Sequence, residues 1–78
     1  MNKVPWNRVI VDEFVSLALL DEVDERIIRT RAAGWSQVKQ SIALNMSSAT
    51  LERRVRKLKE KYTAMLPYSD ILPENLDF

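Results

Sequence analysis

Leu51, Val55, Leu58, Tyr62 and Met65 recur at spacings of 4, 3, 4 and 3, which draws one apolar stripe along a helix of about four turns. A helix of this length with one greasy face is not stable alone in water. Other elements must cover the stripe. The spacing is also a heptad pattern, but two heptads are too few for a stable zipper, so packing within the chain is the stronger reading. The fold question becomes what the rest of a 78-residue chain can lay against that stripe.

The cover cannot be stapled. The chain has no cysteine and no histidine, which removes disulfides and the usual zinc ligand sets. One glycine and three prolines are too few turn formers for a hairpin-rich β fold. A hydrophobic fraction of 46% is too high for a disordered chain. The longest apolar run, Leu17 to Leu20, is far short of a membrane span, and Asp12 and Glu13 interrupt the only apolar segment near the start. These features predict a cytoplasmic, all-α domain, a small bundle of about four helices.

Cap residues give the boundaries. Asn7, Asp21, Ser36 and Ser47 each precede an apolar-periodic stretch as N-caps, and Asp24, three residues after Asp21, comes close to a capping box. Gly34, Asn45 and Pro67 are the stops. The expected helices lie near residues 7–19, 22–33, 36–44 and 48–65, with no sheet. The domain is expected over residues 1–67, with a tri-helical core at 20–65 and the helix at 7–19 added to it. The tail at 68–78 carries Tyr68, Ile71, Leu72, Leu76 and Phe78, too apolar for a solvated end, and is expected to pack back on the domain. Trp6 and Trp35 read as packing anchors.

Charge is segregated along the chain although the net value is only +1. Residues 1–25 hold Lys3 and Arg8 against Asp12, Glu13, Asp21, Glu22, Asp24 and Glu25. Residues 26–61 hold ten basic residues against Glu52 and Glu60, and residues 62–78 hold only acids. Six of the twelve basic residues fall within nine positions: Arg53, Arg54, Arg56, Lys57, Lys59 and Lys61. A basic middle of this kind is an electrostatic footprint for nucleic acid. The acids at 21–25 open a helix, where capping and dipole complementation account for them better than metal binding or acid chemistry.

The motif at residues 20–62 reads Leu20-Asp21-x-x-Asp24, Ile27-Ile28, Ala32-x-Gly34-x-Ser36, then Ser41-x-x-Leu44-Asn45-Met46-Ser47-x-x-Thr50-Leu51-x-x-x-Val55-x-x-Leu58. It resembles, without a gap, the helix-turn-helix domains of LuxR-type response regulators and of the sigma-factor region that reads the −35 promoter element. It is also similar to the DNA-binding tail of serine resolvases. Ser41 stands where those families keep alanine, and Asn45 where they keep the turn glycine. Gln40 replaces an isoleucine, while Ile42 and Ala43 fall at polar positions, which leaves Ile42 an exposed apolar residue unless the first helix or the tail covers it.

The resemblance implies a DNA-binding protein of bacterial or phage type, a transcriptional regulator that places the helix after Ser47 in the major groove. With the stripe facing the core, helical geometry turns Ser48, Ala49, Glu52, Arg53 and Arg56 outward as base-reading candidates. Arg54, Lys57 and Lys61 lie on the flanks as phosphate candidates, joined by Thr50 and by Ser36 at the start of the third helix. Double-stranded DNA is the expected partner. A different class of reading is a helix-turn-helix adaptor that binds a protein, such as RNA polymerase or a phage packaging complex. Without histidine, cysteine or a glycine-rich loop, no catalytic residue, metal or cofactor is expected. Val9, Val11, Val15, Ile42 and the apolar tail exceed what the motif core needs, and a homodimer on paired half-sites is one way to bury them.

Overall fold

The computed structural model describes residues 3–78. Four helices follow one another: α1 (Arg8–Leu17), α2 (Glu22–Ala32), α3 (Gln37–Ala43) and α4 (Ser48–Met65), with a short 3₁₀ turn at Leu66–Tyr68. The fold is all-α. Among the described residues the one β-type pairing is an isolated parallel bridge between Val4 and Leu76.

Every helix starts on the expected cap. Asn7 accepts from the Ile10 N–H at 2.9 Å, Asp21 from Asp24 at 2.8 Å, and Ser36 and Ser47 from Lys39 and Thr50, both at 3.1 Å. Three helix ends close in one way, by a left-handed residue that turns the chain so that its own N–H and the next one reach orphan carbonyls. Gly34 (φ 88°) and Asn45 (φ 54°) do this after α2 and α3. The third such residue is Leu19 (φ 51°), where the Leu20 N–H reaches the Val15 carbonyl at 3.2 Å. The first helix therefore ends at Leu17 rather than near residue 19. Leu19 is 86% exposed, while Leu20 and Val15 are half-buried beneath it. Burial of the residues on either side of the turn holds leucine in a conformation that leucine disfavours.

α1 lies against α2 and α4, and α2, α3 and α4 pack pairwise. Ile10, Val11, Phe14, Ile27, Ile28, Leu51, Leu58 and Tyr62 fill the centre. Val55 and Met65, at the edges of the stripe, are half-buried. α3 keeps the frame read from the sequence. Its buried residue is Gln40, whose Nε2 donates to the Ile27 carbonyl and to Thr30 Oγ1, both at 2.9 Å. The glutamine thus occupies the apolar position by tying α3 to α2 with hydrogen bonds. Ile42 stays 74% exposed and Val38 65%, so neither the first helix nor the tail covers α3's outer face.

The chain ends close the bundle. Val4 exchanges backbone hydrogen bonds with Asn75 and Asp77, and Leu72 and Leu76 enter the core. Trp6, Phe14, Tyr62 and Phe78 form one cluster in which all six ring pairs lie 5.3–6.4 Å apart, mostly edge to face. Ser69 donates to Glu13 and Arg31 donates to the Phe78 carbonyl. Trp35 is half-buried, with the Lys39 ammonium 4.2 Å above its ring.

Two outcomes follow. Glycine carries little cost in the left-handed region, so Leu19→Gly should leave stability unchanged or raise it by up to about 1 kcal/mol, whereas β-branched Leu19→Val should lower it; chemical denaturation reads both. Burial pushes the Tyr62 hydroxyl up to about 12, and that hydroxyl donates to the Pro73 carbonyl. Unfolded tyrosine titrates near 10, so this contribution is complete below about pH 10 and is lost as pH rises toward about 12. Tyr62→Phe should cost about 1 kcal/mol at neutral pH and show a shallower loss of stability across that window than wild type.

Candidate nucleic-acid interface

α4 is 18 residues long and is anchored along one side only. Leu51, Leu58 and Tyr62 are buried in succession, which fixes the rotation of the helix. The opposite side then follows from the 3.6-residue period. Ala49, Arg53 and Arg56 are exposed there and Glu52, Lys57, Lys59 and Lys61 on the flanks, whereas Ser48, three residues before Leu51, falls on the side of the stripe and is exposed because it lies in the first turn. Thr50 and Arg54 are half-buried at the boundary.

The two flanks form open clefts of different make-up. One, of about 380 Å³, is lined by Asp24, Thr50, Arg53, Arg54, Lys57 and Lys61. The other, of about 260 Å³, is lined by Arg31, Gln37, Glu52, Val55, Arg56 and Lys59. The base-reading and phosphate candidates of α4 are thus divided between a crest and two cationic sides. Ser36 stands apart from both linings. It is exposed at the start of α3, where its hydroxyl accepts from Lys39.

Several of these side chains already have partners. Ser47 Oγ is 2.9 Å from Thr50 Oγ1, and Arg53 Nη2 donates to the same Thr50 oxygen at 3.4 Å, a small network at the N-terminal end of α4. Glu52 accepts from Gln37 Nε2 at 3.2 Å, which links the first turn of α3 to α4. Arg54 Nη1 lies 3.0 Å from Asp24 Oδ1, and Lys61 Nζ lies 3.8 Å from Asp24 Oδ2. Arg56, Lys57 and Lys59 have no acidic partner among the described residues.

Sequence reasoning missed Arg31, Gln37, Lys59 and the cross-helix role of Asp24. Lys59 was within reach, since Glu52, Arg56 and Lys59 are spaced i, i+4, i+7 and so share one flank. Arg31 and Gln37 come from α2 and α3, and no local pattern announces which cleft they line. Asp24 looked like part of a capping box; its N–H does bond to Asp21, but its carboxylate turns to α4.

Among the described residues no group of histidine, cysteine, aspartate or glutamate is arranged to hold a metal ion. No helix among the described residues is long and apolar enough to cross a membrane. In comparisons with known proteins the chain matches no family model, no curated protein and no solved structure.

The ion pairing sets a stability difference between neighbours on one flank. Arg54→Ala leaves the Asp24 carboxylate largely buried without its nearest cation and should cost about 1–2 kcal/mol, whereas Lys57→Ala should stay within about 0.5 kcal/mol of wild type. Denaturant midpoints of the two variants check this.

Proposed function

We propose that this chain is a sequence-specific double-stranded DNA-binding protein, a cytoplasmic transcriptional regulator of helix-turn-helix type that lays the N-terminal half of α4 in the major groove. The carrying observation is the cross-section of α4, with one side buried, the crest exposed and both sides bordered by cations. A helix with its side chains is about 10–12 Å across and the major groove is about 12 Å wide, so such a helix meets base edges at its crest and a phosphate strand at each side. Ala49, Glu52, Arg53 and Arg56 face the bases in this reading, with the two arginines suited to guanine, and Ser48 meets the groove only from the N-terminal end of the helix. Arg54, Lys57 and Lys61 face one strand, and Arg31 and Lys59 face the other. Ser36 and Thr50 add neutral donors.

One observation favours a protein partner instead. Val38 and Ile42, one turn apart on α3, present an uncovered apolar pair that DNA contact does not require. An adaptor that docks through α3 would bind its partner with little salt dependence, whereas phosphate contacts release counterions and weaken steeply with salt. A homodimer on paired half-sites extends the DNA reading. The structure changes its basis, because Leu72 and Leu76 are buried within the chain and Val9, Ile42 and Ile71 remain as exposed surplus. Solution mass, free and on a palindromic duplex, tests it.

Selection of bound sequences from a random duplex pool is the first experiment. An enriched motif supports the reading, and absence of salt-sensitive duplex binding overturns it. On the selected site, Arg53→Ala and Arg56→Ala should each cost about 1–3 kcal/mol and relax choice at one base pair. Lys57→Ala should weaken binding evenly on all sequences and lower the salt slope by about one phosphate contact. If the three variants behave alike, the crest and flank assignments are wrong.

A further inference from the structure

Asp24 is an acid in the middle of a cationic cleft, and it is only 8% exposed. Its own N–H bonds to Asp21 at 2.8 Å, which fixes the first turn of α2 beneath it. Its carboxylate then spans two turns of α4, with Arg54 Nη1 at 3.0 Å from one oxygen and Lys61 Nζ at 3.8 Å from the other. Arg54 and Lys61 are seven residues apart on one flank, and Lys57 stands between them. A guanidinium carries five N–H donors in a rigid fork. Asp24 takes one of them, and the Arg54 side chain remains 39% exposed, so the remaining donors are available at the cleft.

We infer that Asp24 is a positioning residue, whose carboxylate aims the Arg54 fork and steadies Lys61 as ligands for the phosphodiesters of one DNA strand. The inference rests on the DNA-binding reading above. A free arginine or lysine must give up most of its rotamer freedom when it meets a phosphate. Here that ordering is already done in the unbound protein by a buried anchor on another helix. Lys57 has no such anchor and acts as a loose point charge between the hydrogen-bonded Arg54 and the ion-paired Lys61.

Plain electrostatics predicts the opposite sign, which makes the inference testable. Removing any carboxylate raises the net charge from +1 to +2 and, without positioning, tightens binding to a polyanion. Glu60 supplies the control, since it is exposed on α4 and forms no ion pair among the described residues. The full chain and its variants are titrated by fluorescence anisotropy against a labelled duplex carrying the selected site. Glu60→Gln should tighten binding about two- to threefold, while Asp24→Asn should weaken it about three- to tenfold although it adds the same charge. In an Arg54→Gln, Lys61→Gln background, Asp24→Asn should no longer weaken binding. If Asp24→Asn tightens binding as Glu60→Gln does, the inference is overturned. Should Asp24→Asn lose cooperative unfolding, Arg54→Lys decides, because it keeps the charge and lacks the fork. A loss of similar size supports positioning, and wild-type affinity overturns it. Wild-type protein that binds no duplex brings down the DNA-binding reading itself, an outcome distinct from all of these.

Discussion

The burial of Leu51, Leu58 and Tyr62 is the constraint on which the rest of this molecule depends. Residues one apart on a helix differ by about 100° in direction, so a slip of one position would carry Arg54 or Lys61 toward the core. Burying an unpaired cation there is costly enough to forbid the slip. The apolar stripe therefore does more than contribute burial energy. It sets the rotation of α4, and the rotation decides which side chains form the crest and which line the two clefts. The reach of α2 toward α4, through Asp24 to Arg54 and Lys61, works only at that rotation.

Small size explains how the stripe is covered. A chain of 78 residues without a staple has a poor ratio of interior to surface. α2 and α1 supply Ile27, Ile28, Ile10 and Phe14, and the two chain ends supply the remainder. Trp6 and Phe78 gather around Tyr62 in the C-terminal half of α4, Leu72 and Leu76 join the same core, and the Val4 backbone bonds hold the ends together. The four-ring cluster joins residues 6, 14, 62 and 78, so the N-terminal segment, α1, α4 and the tail stabilise one another rather than adding independently.

Much of this was legible because the signals were local. A cap needs only one side-chain oxygen and the N–H three residues on, and all four caps were read from single residues. Gly34 and Asn45 announced left-handed turns by their chemistry. Leu19 did not, since leucine has no preference for that turn and is held there by Leu20 and Val15 packing below it. Gln40 was visible as a departure from an apolar pattern, but its remedy, two hydrogen bonds into α2, depends on how the helices cross. The crest of α4 was legible for the same reason as the helix, from period alone. The clefts were only half legible, because Arg31, Gln37 and Asp24 reach them from other helices.

The segregation of charge along the chain has a structural consequence that the net value of +1 conceals. The acids of the N-terminal third are largely spent inside the protein. Asp12 and Glu25 hold Arg29, Asp24 holds Arg54 and Lys61, and Glu13 accepts from Ser69. These contacts fasten α1 to α2, α2 to α4 and α1 to the tail. Arg29, Arg54 and Lys61 are thereby held across helix junctions. Arg56, Lys57 and Lys59 stand beyond those junctions and keep no acidic partner among the described residues. At physiological ionic strength the field of a surface charge is screened within about 8 Å, so a polyanion arriving at α4 responds to these near cations and little to the acids across the molecule. A nearly neutral chain can in this way present a basic face on α4, because several of its acids are engaged within the fold while Arg56, Lys57 and Lys59 keep no acidic partner among the described residues.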